Sequence, residues 1–345
     1  YNNDNENPVN KGLRKVEKVN TISFETFIRN YNIDRIDVLK MDCEGAEWDI
    51  LPTISDDYLK HSIRKIVMEV HDFHNDNSEE AKRKRSVELV ERLNSCGFDV
   101  VYDSTIMNGE HGNLFAKRIP KIKLVHMLVD VEGDREKQSI EHLKKLSEYS
   151  GFEYIQMINE RYTELPPTDS CARPHEVQME PGDYKLSPAH YGNFIAHKTA
   201  IEENLTEECD AVLFCECDAI FIEPIEKVYK SIIDRCDDLM KYDLKYMNFA
   251  KRILGWHTVE VNEFFGKTDK MSEAHCYMIA SKNRDYFVQK LNNSGWDTYD
   301  LWINDNILND NFQGAIVKNP ISIQCSGISY LDKNFKDGTT GLGEE

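Results

Sequence analysis

Two acids separated by one residue, Glu216 and Asp218, interrupt the otherwise apolar run Val212-Leu213-Phe214-Cys215-Glu216-Cys217-Asp218-Ala219-Ile220-Phe221. Burying an unpaired carboxylate in a sheet costs on the order of several kcal/mol, so such acids need a cation, hydrogen bonds or an exit from the sheet. A divalent metal meets that need. Hard oxygen donors suit Mn or Mg, and a Mg-type ion takes one or two carboxylates and completes its shell with waters and substrate phosphates. A metal there would neutralise the diphosphate leaving group of a nucleotide-sugar. The plainer reading ends the strand at Phe214 and leaves both acids in a solvated loop.

A second group is Asp42, Glu44 and His71, acids and an imidazole predicted at neighbouring strand ends, where they could position or deprotonate a sugar hydroxyl. The alternative is that Glu44 and Glu47 stand at the N-terminus of the next helix, where anions complement its dipole. In the C-terminal half, Asp130 ends a predicted strand and can accept hydrogen bonds from a nucleoside, and Arg135 can pair with phosphate. His197 and Lys198 could face the same site. The plainer readings place Arg135 on a charged helix face, where such a residue is solvated in most proteins, and His197 in the core as a hydrogen-bonded histidine. Asp297, Asp300 and Asp305 are candidate bases, because an inverting transfer needs a carboxylate within reach of the acceptor hydroxyl. Asn-rich turns also attract aspartates for structural reasons alone.

The elements that must hold these residues alternate. Ser23 starts a helix through Ile28, Ile36 to Met41 reads as a strand, Ala46 to Leu51 begins a helix, and Ile63 to Val70 is β-branched and strand-like. A charged amphipathic helix over Glu79 to Cys96 stops at Gly97, and Phe98 to Tyr102 and Asn113 to Ala116 are two more strands. This alternation predicts a mostly parallel sheet with ligand sites beyond the strand C-termini. After Arg118-Ile119-Pro120-Lys121 the pattern restarts: strand Lys123 to Val129, helix Arg135 to Ser150, strand Phe152 to Ile158, a Pro-containing stretch Glu164 to Leu186, helix Tyr191 to Leu205, and a strand Ala211 to Ile222. The domain boundary is placed near Pro120.

Lys40-Met41-Asp42-Cys43-Glu44-Gly45-Ala46-Glu47 resembles FkbM-type methyltransferases, in which a Lys-(Ile/Met)-Asp-x-Glu-Gly-Ala-Glu segment follows the fourth strand of a Rossmann-like sheet; Val67-Met68-Glu69-Val70-His71 matches the next strand. The resemblance covers about residues 19 to 118, the family's second half. The Asp-x-Gly-x-Asn-x-Gly-type loop for S-adenosylmethionine is absent, so that cofactor is expected only if the missing N-terminal half is present. The chain begins at Tyr1 and reads as a piece of a longer protein.

Leu186-Ser187-Pro188-Ala189-His190-Tyr191-Gly192-Asn193-Phe194-Ile195-Ala196-His197-Lys198-Thr199-Ala200, followed by Cys215-Glu216-Cys217-Asp218, resembles the lipooligosaccharide glycosyltransferase family that includes procollagen galactosyltransferases. There a Gly-x-x-x-(Ser/Ala)-His helix precedes a strand ending in Glu-Asp-Asp. Cys217 replaces the middle acid here, so the match is to the wider Asp-x-Asp pattern of type A glycosyltransferases. Ser272 to Ala280, Trp296 to Asp300 and Asn319 to Ser329 resemble the family's later motifs, the last supplying Gln324 as a donor-binding candidate. The resemblance implies a GT-A-like domain over 120–345, beside a partial Rossmann-like methyltransferase sheet over 1–119, both α/β. It implies transfer from a nucleotide-sugar to a glycan acceptor in surface polysaccharide synthesis, with Mn or Mg, fused to a glycan-methylating module. The alternative is a sugar O-methyltransferase whose C-terminal domain only binds glycan.

The 345 residues, 40% of them hydrophobic, suffice for two domains with their own cores. A net charge of −19 argues against nucleic-acid and anionic-membrane partners. The nine cysteines include no C-x-x-C pair, which reads as reduced cytoplasmic thiols. No apolar run reaches the roughly 18 residues of a membrane span.

Overall fold

The computed structural model describes residues 20–71, 78–106, 111–129, 131–167, 170–172, 186–250, 258–268, 274–308 and 313–324. The chain divides into two compact units, Tyr1–Ile119 and Pro120–Glu345, each a mixture of helices and sheet. Asp130, Ser272, Glu273, most of the Pro-containing stretch and the end of the last motif, from Cys325, lie outside the described residues.

In the first unit three serines set helix starts. Ser23, Ser55 and Ser78 hold extended backbone and accept the N–H three residues on, at Thr26, Tyr58 and Ala81, which satisfies a donor the helix itself leaves orphaned. They open α1 (Phe24–Asn30), α3 (Asp56–His61) and α4 (Glu79–Ser95), with the short α2 (Glu47–Ile50) between the first two. Gly97, at φ 85°, turns the chain out of α4. The strands are β1 (Leu39–Met41), β2 (Lys65–Val70), β3 (Phe98–Tyr102) and β4 (Gly112–Arg118), in the order β1-β2-β4-β3. Alternate residues Ile66, Met68 and Val70 of β2 are buried with Met41, Leu114 and Ala116 against Leu89, Val90 and Leu93 of α4, as a sheet with one covered face requires.

The expectation of a mostly parallel sheet fails here. β1 runs parallel to β2, but β4 is antiparallel to both β2 and β3. The connection 103–111 is shorter than the dozen or more residues a parallel crossover needs, so the chain returns as a hairpin.

The second unit comprises β5 (Ile122–Leu128), α5 (Asp134–Ser150), β6 (Glu153–Ile158), α6 (Pro188–Asn204), β7 (Ala211–Glu216), β8 (Ala219–Phe221), α7 (Ile225–Lys241), β9 (Tyr246–Asn248), β10 (Thr258–Glu260), β11 (Phe265–Thr268), β12 (Cys276–Ala280), α8 (Arg284–Asn293), α9 (Tyr299–Ile303), β13 (Gly314–Val317) and β14 (Ser322–Gln324). Eight strands form one sheet in the order β10-β11-β13-β9-β12-β7-β5-β6. β5 lies parallel to both β6 and β7, and β12 closes antiparallel on β7. Strand periodicity sorts β7 between two cores: Leu213 and Cys215 pack with Leu143 and Leu146 of α5 and Ile232 of α7, while Val212 and Phe214 pack with Phe194 and Ile201 of α6 and Trp302 of α9. Burial on both faces explains why this run is continuously apolar.

The predicted single strand from Ala211 to Ile222 is broken. β7 ends at Glu216, the chain turns at Cys217 and Asp218, and β8 leaves the main sheet to pair antiparallel with β14. Glu216 closes β7 with its carboxylate partnered from α6, and Asp218 falls in the turn that follows, where the backbone leaves the sheet.

Candidate active site

In the second unit the parallel strands β5, β6 and β7 end side by side, and beyond their C-terminal ends opens a cleft of about 210 Å³. Open α/β sheets place ligands at that edge. Its walls are Met127 and Val129 at the end of β5, Asn159 to Tyr162 after β6, Glu216 to Asp218 at and beyond the end of β7, one face of α6, and Gln324 at the end of β14. Ala189, Gly192, Asn193, Ala196 and His197 of α6 line it, at the three- and four-residue spacing that puts side chains on one helix face. At Gly192 a Cβ would come within 3.1 Å of the Tyr162 ring, so the missing side chain lets the Tyr162 segment approach the helix.

Glu216 is held by that face. Asn193 donates through Nδ2 to its Oε1 at 3.0 Å, and His197 Nε2 lies 2.9 Å from the same oxygen. His197 is fully buried, its Nδ1 is 2.7 Å from the Tyr277 hydroxyl, and its ring stacks on Tyr299 at 3.8 Å with 1° between planes. The rotamer is thereby fixed from three sides. Burial pushes the Glu216 carboxyl up, but the hydrogen bond and charge of His197, the Asn193 amide and the charge of His275 outweigh it and hold it at about 2.

Asp218 is the opposite case. It is 6% exposed, and burial, followed by repulsion from Glu216, raises its carboxyl to about 7 although Arg135 pulls the other way. Arg135, in the first turn of α5, donates through Nη2 to Oδ2. Oδ1 is buried and finds no side-chain hydrogen-bond partner among the described residues. A divalent cation fits this chemistry: two carboxylates on one cleft wall, one carrying an orphaned oxygen and strained by its neighbour's charge, form a hard-oxygen donor set that still needs positive charge.

The structure brings together Glu216, Asp218, Arg135, His197 and Gln324 of the residues singled out from sequence. Lys198 instead donates to Asn292 at 2.8 Å and lies 3.8 Å from Glu202, because one residue past His197 a side chain points off the cleft face. Asp297 is 1% exposed and accepts the Thr298 N–H at 2.7 Å. Neither it, Asp300 nor Asp305 lines the cleft. Sequence reasoning missed Asn193 and the Asn159–Tyr162 wall. Asn193 was findable, since it precedes His197 by four residues, whereas the wall follows from sheet order.

In the first unit, Glu44 and Gly45 take positive φ, 54° and 103°. The resulting turn aims the amides of Cys43 and Gly45 at the buried Glu47 carboxylate, at 2.5 and 2.8 Å. Glu47 therefore binds the backbone before α2, while Glu44 is 79% exposed and caps nothing. His71, after β2, sets its Nδ1 3.3 Å from Glu47, and Trp48 Nε1 donates to its carbonyl at 2.7 Å. Glu44 stands 3.8 Å from Nε2, and Asp42 pairs with Lys40 at 3.2 Å. Asp42, Glu44 and His71 each bring a donor atom within 4.8 Å of the others, beside a buried acid, Glu47, that the sequence reading treated as a helix cap.

Comparison with known proteins adds the following. A family model described as the methyltransferase FkbM domain matches residues 3–100. No curated protein matches the chain. Among solved structures, a glycosyltransferase involved in the glycosylation of the major capsid of PBCV-1 shares 12% identity over 50% of this chain and 66% of its own, with a TM-score of 0.29. A protein from STIV shares 10% identity over 59% of this chain and 85% of its own, with a TM-score of 0.31. What the chain resembles by family is thus a methyltransferase domain over its first hundred residues.

Proposed function

We propose that the second unit is a metal-dependent glycosyltransferase, moving a sugar from a nucleotide-sugar to a glycan acceptor, and that the first belongs to a glycan-methylating module. One observation carries the reading: Asp218, with a buried oxygen that has no side-chain partner among the described residues and a carboxyl raised by burial and then by the charge of Glu216, faces a cleft at the C-terminal ends of three parallel strands beside Arg135. Glu216 and Asp218 would hold Mn or Mg, which when bound neutralises charge building on the departing diphosphate. Arg135 is placed to exchange its carboxylate partner for a phosphate oxygen, since a guanidinium matches both. His197 and Asn193 keep Glu216 ionised and aimed. In the transfer, the acceptor hydroxyl oxygen bonds to the anomeric carbon as the bond to diphosphate breaks, and the electron pair leaves with the phosphate. The released proton passes to an oxygen of the departing diphosphate or to water, because Asp297, Asp300 and Asp305 do not line the cleft and so lie out of reach of a hydroxyl bound there.

The test is a thermal-shift screen of the full chain against nucleotide-sugars with and without Mn, followed by donor-hydrolysis assays on hits. Stabilisation by donor and Mn together, lost in Asp218→Asn, supports the reading; no donor binding with Mn present overturns it. The match of the FkbM model to residues 3–100 favours a second reading, a sugar O-methyltransferase whose C-terminal domain only binds glycan. It expects glycan binding without metal and no donor turnover. S-adenosylmethionine would bind only where upstream residues complete its site.

A further inference from the structure

The first unit carries a ligand set of a different kind from the all-oxygen pair at Glu216 and Asp218. His71, 4% exposed, has three carboxylates around its ring: Glu47 Oε1 at 3.3 Å from Nδ1, and Glu44 Oε2 and Glu69 Oε1 each at 3.8 Å from Nε2. A second imidazole joins them. His111 Nε2 lies 2.8 Å from Glu69 Oε1, and its ring meets His71 edge-on with centroids 4.8 Å apart. One donor atom from each of Glu69, His71 and His111 falls within 4.8 Å of the others, as do donors from Asp42, Glu44 and His71. Around a tetrahedral zinc, with bonds of about 2.0–2.2 Å, ligand atoms sit roughly 3.4 Å apart.

We propose that Glu69, His71 and His111 bind one borderline divalent cation of the zinc class. Glu47 is the second observation pointing there. It is itself 1% exposed, fixed by two backbone amides, and bonded to the Nδ1 side of His71. That carboxylate–imidazole arrangement sets the tautomer and orientation that present Nε2 to a metal. The turn positions are consistent with this use: Glu44, in the left-handed region that a non-glycine residue enters at a cost of about 1 kcal/mol or more, brings a further carboxylate to Nε2. An ordinary surface ion pair between Glu69 and His111 would need neither a second, buried imidazole nor a buried acid to orient it. Two nitrogens and one carboxylate select Zn, Co or Ni over Mg and Ca, which take oxygen shells. Three protein ligands leave a coordination position for water or a substrate hydroxyl.

The experiment titrates the full, metal-stripped chain with Zn²⁺ and Mg²⁺ by calorimetry, and with Co²⁺ by visible absorption. All variants carry Cys43→Ser, which removes the exposed thiol nearby. The expected result, read in the Asp218→Asn chain so that the second unit's carboxylate pair takes up no metal, is one Zn²⁺ site that Mg²⁺ does not fill and Co²⁺ bands without thiolate character. His111→Ala and Glu69→Gln should weaken it at least about 100-fold with the melting temperature of the metal-free chain unchanged. Glu47→Gln, which alters only the support, should weaken it about 10- to 100-fold. Asp218→Asn should leave it intact, separating this site from the sugar-transfer reading of the second unit. Loss of Zn²⁺ binding on Cys43→Ser alone, wild-type affinity in His111→Ala and Glu69→Gln, or equal filling by Mg²⁺ would each overturn the proposal.

Discussion

Both units gather acids where parallel strands end, yet they treat them oppositely. In the first unit the acids Asp42, Glu44 and Glu69 keep 35%, 79% and 37% of their side chains exposed, and one buried acid, Glu47, is saturated by backbone amides and His71. In the second, Glu216 and Asp218 are both largely withdrawn from solvent; one oxygen of Glu216 meets both Asn193 and His197, and Asp218 keeps an oxygen with no side-chain partner among the described residues. Solvent screens the first group, so its members act through position. Burial makes the second pair act through charge: two carboxyls two residues apart are driven to about 2 and about 7. Separation of that kind is a mark of functional sites as well as of structural ion pairs, and the orphaned oxygen favours function here.

The sharpest way to break this comparison is Asp218→Asn. The amide nearly preserves volume but removes the anion, so donor hydrolysis or sugar transfer with Mn should fall by about two orders of magnitude or more. Full activity would make Asp218 a structural acid like Glu47. Next in size is Arg135→Gln. Charge-assisted hydrogen bonds are worth about 1.5–3 kcal/mol, so its donor affinity, read by calorimetry with a nucleotide diphosphate, should fall roughly 10- to 100-fold, whereas an Arg135 serving only Asp218 would leave it unchanged.

Stability against pH distinguishes the two carboxyls. Asp218 is raised above its unfolded value, so the folded state holds an extra proton between about pH 4 and 7; its contribution is greatest at low pH and falls as pH rises through about 7. Glu216 is depressed, so its contribution is present above about 4.5 and lost as pH falls toward 2. The metal-free chain should lose melting temperature between about pH 4 and 7. Asp218→Asn should flatten that slope, and His197→Ala should deepen the loss of stability across the whole range, by about 1–3 kcal/mol, by leaving a buried carboxylate oxygen short of a donor. An unchanged slope in Asp218→Asn would mean that its carboxyl is not raised.

Much of this was legible in the residues. Ser23, Gly97 and the β-branched runs announce their elements, and Glu216 with Asp218 announces itself because charge in an apolar run demands a reason. What escaped depended on chain reversal or on neighbours far away in sequence. The hairpin joining β3 and β4 was hidden because periodicity reports an element and not its direction. The break after Glu216 was hidden because an apolar strand leaving one sheet to join another keeps the same composition on both sides of the turn. Glu47 read as a helix cap, since only the positive φ of Glu44 and Gly45 shows that its carboxylate reaches backward. Asp297 and Asp300 were chosen by type, and type carries no information on which face of a turn a carboxylate occupies.

The smallest expected effect concerns the approach of α6 to the opposite wall. Gly192 sits inside the helix, where glycine costs about 1 kcal/mol relative to alanine, and a Cβ there would meet the Tyr162 ring at 3.1 Å. The two consequences oppose each other. Helix propensity favours Gly192→Ala, while the contact forces a few tenths of an ångström of movement on a side chain that is only half-buried and lies outside regular structure, so the melting temperature should change by no more than about 2 °C, the equivalent of about 1 kcal/mol for a unit of this size. Binding should respond more than folding. Tyr162 and Gly192 both line the cleft, and pushing the ring away reshapes the wall facing Glu216 without touching any charge. Nucleotide-sugar affinity should therefore drop a few-fold while the dependence on Mn stays as it is. A large loss of stability would show that the Tyr162 segment is packed too rigidly to yield, and unchanged affinity would show that the donor does not use this wall.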